Sequence, residues 1–201
     1  MSKRLANWMA AAGWTPNAIS VGGMVAAVLA GVAFWLTAVV PGFARLWFLL
    51  GAVLLQVRLL ANMFDGMVAV ESGQASPVGE LYNEVPDRVS DAVILVGLGY
   101  AAGGSVAIGL AAAVAAVFTA YVRAQAVVAG APQDFCGPMA KPQRMFVITV
   151  VAVWCGVTPA AWQPVTAGGH GIPAACALLV LVGCVVTALR RLIRSGRALG
   201  R

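Results

Sequence analysis

Between residues 17 and 194 the chain can be written as about six apolar runs, each of roughly the 20 residues that a helix needs to cross a hydrocarbon core. They lie at 17–40, 45–68, 80–102, 104–129, 143–163 and 172–194. The composition agrees: 61% of residues are apolar, only 10% are charged, and the mean hydropathy is +0.90, all far from soluble-domain averages. The expected fold is therefore all-α, a polytopic membrane protein built as a six-transmembrane-helix bundle. No stretch is left over for a soluble domain and no repeat is visible. Residues 1–201 read as a single membrane domain, with an interfacial segment at 1–16, the bundle at 17–194 and a basic tail at 195–201.

The N-terminus does not read as a signal peptide. Its apolar stretch is too short, carries Asn7 and Trp8, and lacks a clear small-residue cleavage site. Leu5, Trp8, Met9 and Ala12 fall at helical spacing behind Lys3 and Arg4, which predicts a short helix lying in the membrane interface. Thr15-Pro16-Asn17 then reads as a helix start, with Thr15 as cap and proline at the first helical position.

Basic residues set the orientation. Lys3 and Arg4 precede the first span, Arg123, Lys141 and Arg144 surround the connection between spans 4 and 5, and Arg190, Arg191, Arg194, Arg197 and Arg201 end the chain. The opposite loops offer only Arg45. By the positive-inside rule both termini and the turn between spans 2 and 3 are expected on the cytoplasmic side, in a bacterial inner membrane. The net charge of +6 then lies beside anionic head groups, and its juxtamembrane placement argues against nucleic acid as a partner.

Six of the seven carboxylates (Asp65, Glu71, Glu80, Glu84, Asp87 and Asp91) fall between residues 65 and 91 of this oily chain. Ionisable groups at the ends of apolar spans are expensive, so such a cluster is by default a site. At about 100° per residue, Arg58, Asn62 and Asp65 share one face of span 2, while Glu80, Asn83, Glu84, Asp87 and Asp91 share an arc of span 3. Gly66, Ala69, Ser72, Gly73 and Gly79 between them let a bulky ligand approach the backbone. Converging Asn and Asp oxygens are hard ligands suited to Mg²⁺ or Mn²⁺, with substrate phosphates completing the shell.

The same cluster can be read as polar glue between two helices, aided by an Arg58–Asp65 or Arg88–Glu84 pair. So many acids on facing arcs would then repel one another without a cation. The other polar and small residues carry less. Cys136, Cys155, Cys176 and Cys184 show no zinc-ligand spacing and read as packing residues. His170, the only histidine, lies in a loop predicted to face outside. Gly23, Ala27 and Gly31 form a small-residue stripe suited to helix packing.

At Asn62, Asp65-Gly66, Ala69-Val70, Gly79, Asn83 and Asp87 the chain resembles the CDP-alcohol phosphotransferase family. The family's signature runs Asp, two residues, Asp-Gly, two residues, Ala-Arg, eight residues, Gly, three residues, Asp, three residues, Asp. Every spacing is kept, while Asn62 and Asn83 replace two aspartates and Val70 replaces the arginine. The resemblance extends to six spans and a Thr-Pro-Asn before the first.

The resemblance implies an enzyme of phospholipid or polar-lipid synthesis. A CDP-alcohol, such as CDP-diacylglycerol, binds with its pyrophosphate on one or two Mg²⁺ or Mn²⁺ ions, a hydroxyl acceptor attacks the phosphorus bearing the first alcohol, and CMP leaves. By position, Asp65 and Asp87 would be metal ligands, Asn62 and Asn83 would offer carbonyl oxygens, and Asp87 would stand at the base. Gly66, Ala69 and Gly79 would pack the cytidine nucleotide. With two of four signature carboxylates lost, Glu80 or Glu84 is a compensating acid, and Arg58, Arg88, Arg123, Lys141 and Arg144 are candidates for the missing phosphate contact. The family also suggests a homodimer. Two other classes stand beside this reading: a degenerate member that binds a nucleotide-lipid or a partner without turnover, and a small cation-linked transporter, which would spread its acids through the membrane depth.

Overall fold

Thr15 starts the first long helix as its spacing predicts. The hydroxyl accepts from the Ala18 N–H at 3.2 Å, Thr15 itself is extended, and Pro16 opens the helix where no N–H is needed. The computed structural model describes Trp8 and residues 11–71, 77–166 and 168–200, with only the backbone at Glu71, Pro77, Val78 and Glu80. Of the expected interfacial helix, Trp8 and Ala11 are helical, the Ala12 N–H donates to the Trp8 carbonyl at 2.8 Å, and Gly13 follows at φ +81°. The other residues before Ala11 lie outside the described residues.

Among the described residues there are six long helices and no strand: α1 Pro16–Val39, α2 Ala44–Glu71, α3 Pro77–Tyr100, α4 Val106–Val128, α5 Lys141–Val157 and α6 Ile172–Leu199. Short 3₁₀ turns occur at Pro41–Phe43 and Ala160–Trp162. Four segments among the described residues are long and apolar enough to cross a membrane: Pro16–Val39, Pro41–Val70, Val106–Val128 and Ile172–Leu199. The two remaining helices fall short for different reasons. The part of α3 up to Asp91 carries the charges of Glu80, Glu84, Asp87, Arg88 and Asp91, and α5 is only 17 residues long.

The end of α5 corrects the expected run to residue 163. Thr158 is extended at φ −87°, ψ 147°, because the residue before Pro159 is driven out of the helical region.

Helix α1 lies against both α2 and α3, α4 packs on α3 and α6, and α5 on α2 and α6. The core between them is lined largely by small residues such as Ala27, Ala30, Ala112, Ala116, Ala152 and Ala177, with Phe34, Leu55, Ile94 and Leu98 filling the gaps. Small side chains bring helix backbones close, where dispersion contacts hold them. The stripe on α1 works in this way. A Cβ on Gly31 would lie 2.6 Å from the Val93 carbonyl oxygen, one on Gly97 would lie 2.3 Å from that of Gly31, and one on Gly23 would meet the Ala61 Cβ at 2.9 Å. The three span cysteines are buried and unpaired, as packing residues would be.

The connection from α4 to α5 is fastened to α6. Arg191 Nε donates to the Cys136 carbonyl at 3.0 Å, the Met139 N–H donates to Thr187 Oγ1 at 3.0 Å, and Gly137 turns at φ +127° with no room for a Cβ beside Thr187. In the same loop the Cys136 N–H, 2.8 Å from Asp134 Oδ1, holds the Asp134 carboxyl below its usual range, helped by Arg194 at 2.9 Å. This fastening fixes where α5 begins, with Lys141 and Arg144 in its first turn.

Replacing Gly97 by valine is expected to push α1 off α3. Overpacking of this kind costs about 1–3 kcal/mol. The expected result is a Tm in detergent several degrees below the parent; an unchanged Tm would show that the close approach does not hold these helices.

Candidate active site

The polar residues of four helices meet at one end of the bundle. On α2, Arg58, Asn62 and Asp65 follow one another at one-turn spacing; on α3, Asp87 and Asp91 do the same. Asp65 is buried and accepts from Ser20 Oγ of α1 at 2.6 Å and from the Gly66 N–H at 2.6 Å. Asp87, also buried, is held between two cations: Arg58 Nη2 binds one oxygen and Lys141 Nζ the other. Lys141 Nζ donates as well to Asn62 Oδ1 at 2.9 Å. The expected Arg58–Asp65 pair is thus corrected. Arg58 reaches across to α3, and Asp65 is satisfied by Ser20 and its own backbone. The expected Arg88–Glu84 pair is present.

A second buried pair stands behind the first. Arg144 binds Asp91 and also donates to the Met139 carbonyl at 3.0 Å; Arg144 is 2% exposed and Asp91 fully buried. Arg58 Nε and Nη1, Arg144 Nε and Asp91 Oδ1 are buried with no hydrogen-bond partner among the described residues. Charges buried this deeply are tolerated only because each is paired.

Two spaces adjoin the cluster. A small inner void of about 10 Å³ is lined by Ser20, Gly23, Met24, Arg58, Asn62, Asp65, Asp87 and Ser90. An outer cavity of about 440 Å³ is walled by Asn62, Asn83, Asp87, Lys141, Gln143 and Thr119 among others. Five of its lining residues are cationic (Arg88, Arg123, Lys141, Arg144, Arg191) and two acidic (Glu84, Asp87), an excess of three positive charges. Such a pocket favours an anionic ligand.

Glu84 faces this cavity and not the inner void, paired with Arg88 and, at 2.7 Å, with Arg123, whose guanidinium lies 5.0 Å from the centre of the Phe135 ring. The Glu80 side chain lies outside the described residues. Gly66 is open: an added Cβ would meet no atom within 4 Å, so internal packing does not demand glycine there. Ala69 and Gly79 are half-buried, and Val70 is 75% exposed. His170 sits with its Nδ1 3.2 Å from the Gly104 carbonyl, in contact with the α3–α4 turn and remote from this cluster.

Sequence reasoning treated Arg191 only as a topogenic charge, and missed Ser20 and Thr119 altogether. Arg191 donates to the Thr119 carbonyl at 3.0 Å and is 6% exposed. Its signal was helical phase, since Cys184, Thr187 and Arg191 share the inward face of α6.

No group of three or more His, Cys, Asp or Glu residues able to hold a metal occurs among the described residues. The asparagines at two signature positions account for this. Around the inner void the carboxylate oxygens of Asp65 and Asp87 and the amide oxygen of Asn62 are hard donors of the kind that would hold a small divalent ion, and in this structure Arg58 and Lys141 occupy the two Asp87 oxygens and Lys141 the Asn62 oxygen.

A family model described as CDP-alcohol phosphatidyltransferase matches residues 13–190. The chain belongs to this family. It is accordingly an integral-membrane transferase of phospholipid biosynthesis that moves a substituted phosphate from a CDP-alcohol to a hydroxyl acceptor. Among related proteins, the phosphatidylinositol phosphate synthase of Mycolicibacterium smegmatis is 27% identical over 158 residues, 76% of this chain and 67% of that one. The archaetidylinositol phosphate synthase of Pyrococcus horikoshii is 26% identical over 157 residues, 77% of this chain and 78% of that one. The fold is shared with the phosphatidylinositol phosphate synthase of Mycobacterium tuberculosis. Its crystal structure in complex with manganese and citrate aligns with a TM-score of 0.77 at 22% identity, covering 98% of this chain and 89% of that one. The form with CDP-DAG bound aligns at 0.75 and 23%, covering 97% and 93%.

Replacing Asp91 by asparagine leaves the buried Arg144 without its counter-charge. A loss of about 3–5 kcal/mol is expected, seen as a collapse of Tm in detergent, with most of it recovered when Arg144 is changed to methionine and Asp91 to leucine together. Equal stability of Asp91→Asn and the parent would contradict the pairing.

Proposed function

We propose that this chain transfers the phosphatidyl group of CDP-diacylglycerol to a hydroxyl of a polar acceptor that itself carries a phosphate, releasing CMP. The observation that carries the reading is the outer cavity, with its excess of positive charge opening beside Asp87. The relatives named for making phosphatidylinositol phosphate and archaetidylinositol phosphate support a phosphorylated polyol as acceptor. The manganese and the CDP-DAG in the Mycobacterium tuberculosis structures support a divalent metal and this donor.

The residues divide the work by position. Gly66, with open space on its Cα face, and the half-buried Ala69 and Gly79 accept the cytidine nucleotide. The acceptor's phosphate lies among Arg123, Arg144 and Arg191, which presents its hydroxyl toward Asp87. Asp65, Asp87 and Asn62 would hold a divalent ion, which would neutralise charge on the diphosphate. The acceptor oxygen forms a bond to the phosphorus bearing diacylglycerol, the bond from that phosphorus to the bridging oxygen breaks, and CMP leaves with the electron pair. The hydroxyl proton passes to Asp87, whose carboxylate keeps lone pairs beyond those that Arg58 and Lys141 occupy. The basic residues flanking the spans support a cytoplasmic face for the site and an inner-membrane location.

The test is CMP release by purified protein in nanodiscs, supplied with CDP-diacylglycerol and Mn²⁺ or Mg²⁺, with phosphorylated or unphosphorylated polyols and with a chelator control. Release that depends on metal and on the acceptor, favours the phosphorylated pool, and falls at least about 10²-fold in Asp87→Asn is expected. CDP-diacylglycerol binding without any release would replace this reading with that of a binding protein.

A further inference from the structure

We infer that the ammonium of Lys141 stands in place of a second divalent cation, so that the site works with a single metal ion. The inference rests on the transfer reading above and deepens its site. Its starting point is the division of the signature residues between two spaces. Asn62, Asp65 and Asp87 border the inner void with Ser20, whereas Asn83 borders only the outer cavity, where it shares the wall with Asn62, Asp87 and Lys141. Both asparagines therefore meet on the outer side, and that is the side on which Lys141 Nζ sits, bonded to Asn62 Oδ1 and to Asp87 Oδ2.

Charge supports the substitution. Asp65 and Asp87 bring two negative charges, and Arg58 and the partly buried Lys141 two positive ones, so the set is neutral. One divalent ion at the inner void adds two positive charges, which match the two negative charges of a CDP-alcohol diphosphate. A second ion would leave two positive charges uncompensated in a largely desolvated place, which is costly. The amides fit the same logic: an amide oxygen is a good acceptor for an ammonium N–H and a poor counter-charge for a metal.

Placement supports it too. Lys141 is not on a free loop. It opens α5, followed by Pro142, behind a connection tied to α6 through Arg191 and Thr187 and fixed below by Arg144 on Asp91 and the Met139 carbonyl. The ammonium has three N–H groups and two are used, so the third is left for a diphosphate oxygen entering from the outer cavity. The stand-in thus holds the donor as a metal would, through a charge that cannot be chelated.

The test counts metal ions on the purified full chain by Mn²⁺ electron paramagnetic resonance titration, with CMP release followed on the same preparations. The parent and Lys141→Arg are expected to bind one Mn²⁺ per chain. The triple variant Asn62→Asp, Asn83→Asp, Lys141→Gln is expected to bind two. Because the triple variant is a heavier change, Asn62→Asp with Asn83→Asp and Lys141 retained is measured beside it and is expected to hold its second ion at least tenfold more weakly. Two ions of similar affinity in the parent overturn the inference, as does none; in either case acceptor-dependent CMP release leaves the transfer reading standing, and its absence removes that reading separately.

Discussion

One carboxylate ties three helices of this bundle together. Asp87 on α3 takes Arg58 from α2 on one oxygen and Lys141 from α5 on the other, in a region where unpaired charges are not tolerated. Arg58 is 2% exposed, so the pair is a fixed element and not a surface contact. The helices around it are positioned to make the junction possible. Gly31 and Gly97 bring α1 onto α3, and α1 in turn lies on α2, which sets the distance the arginine has to reach. The connection fastened to α6 delivers the lysine from the other side.

This arrangement gives the site a different electrostatic character from a cluster of acids. The sequence pattern read alone is an acidic stretch that needs cations from solution. In the folded chain much of that need is met internally: Asp87 by Arg58 and Lys141, Asp91 by Arg144, Glu84 by Arg88 and Arg123. The outer cavity accordingly carries net positive charge, which suits an anionic ligand such as the diphosphate of a CDP-alcohol.

The helices, their order and the shared faces of α2 and α3 were legible in the sequence because they depend on helical period and apolar run length, both local properties. Thr15 as a cap and the small stripe on α1 were legible for the same reason. The partners of the charged residues were not. Arg58 stands close to Asp65 on its own helix, yet its guanidinium crosses to Asp87, because which acid it meets depends on how far α3 is displaced along α2. Arg191 was hidden in a run of arginines whose common topological role masked the inward phase of this one. Glu84 shares an arc with Asp87 but is drawn outward by Arg123 on α4, a residue that no spacing in the signature relates to it. The early end of α5 followed from Pro159, whose effect on the residue before it outweighed the apolar run.

The shortness of α5 has a consequence for the surrounding lipid. At 1.5 Å per residue its 17 residues span about 26 Å, against about 30 Å for a typical hydrocarbon core. A bilayer relieves such a mismatch by thinning locally. Lys141 and Arg144 open this helix at the polar end, so thinning along α5 would border the site itself. Head groups lying deeper there would shorten the distance that the diphosphate of a membrane-anchored CDP-alcohol has to rise to reach the cavity beside Asp87.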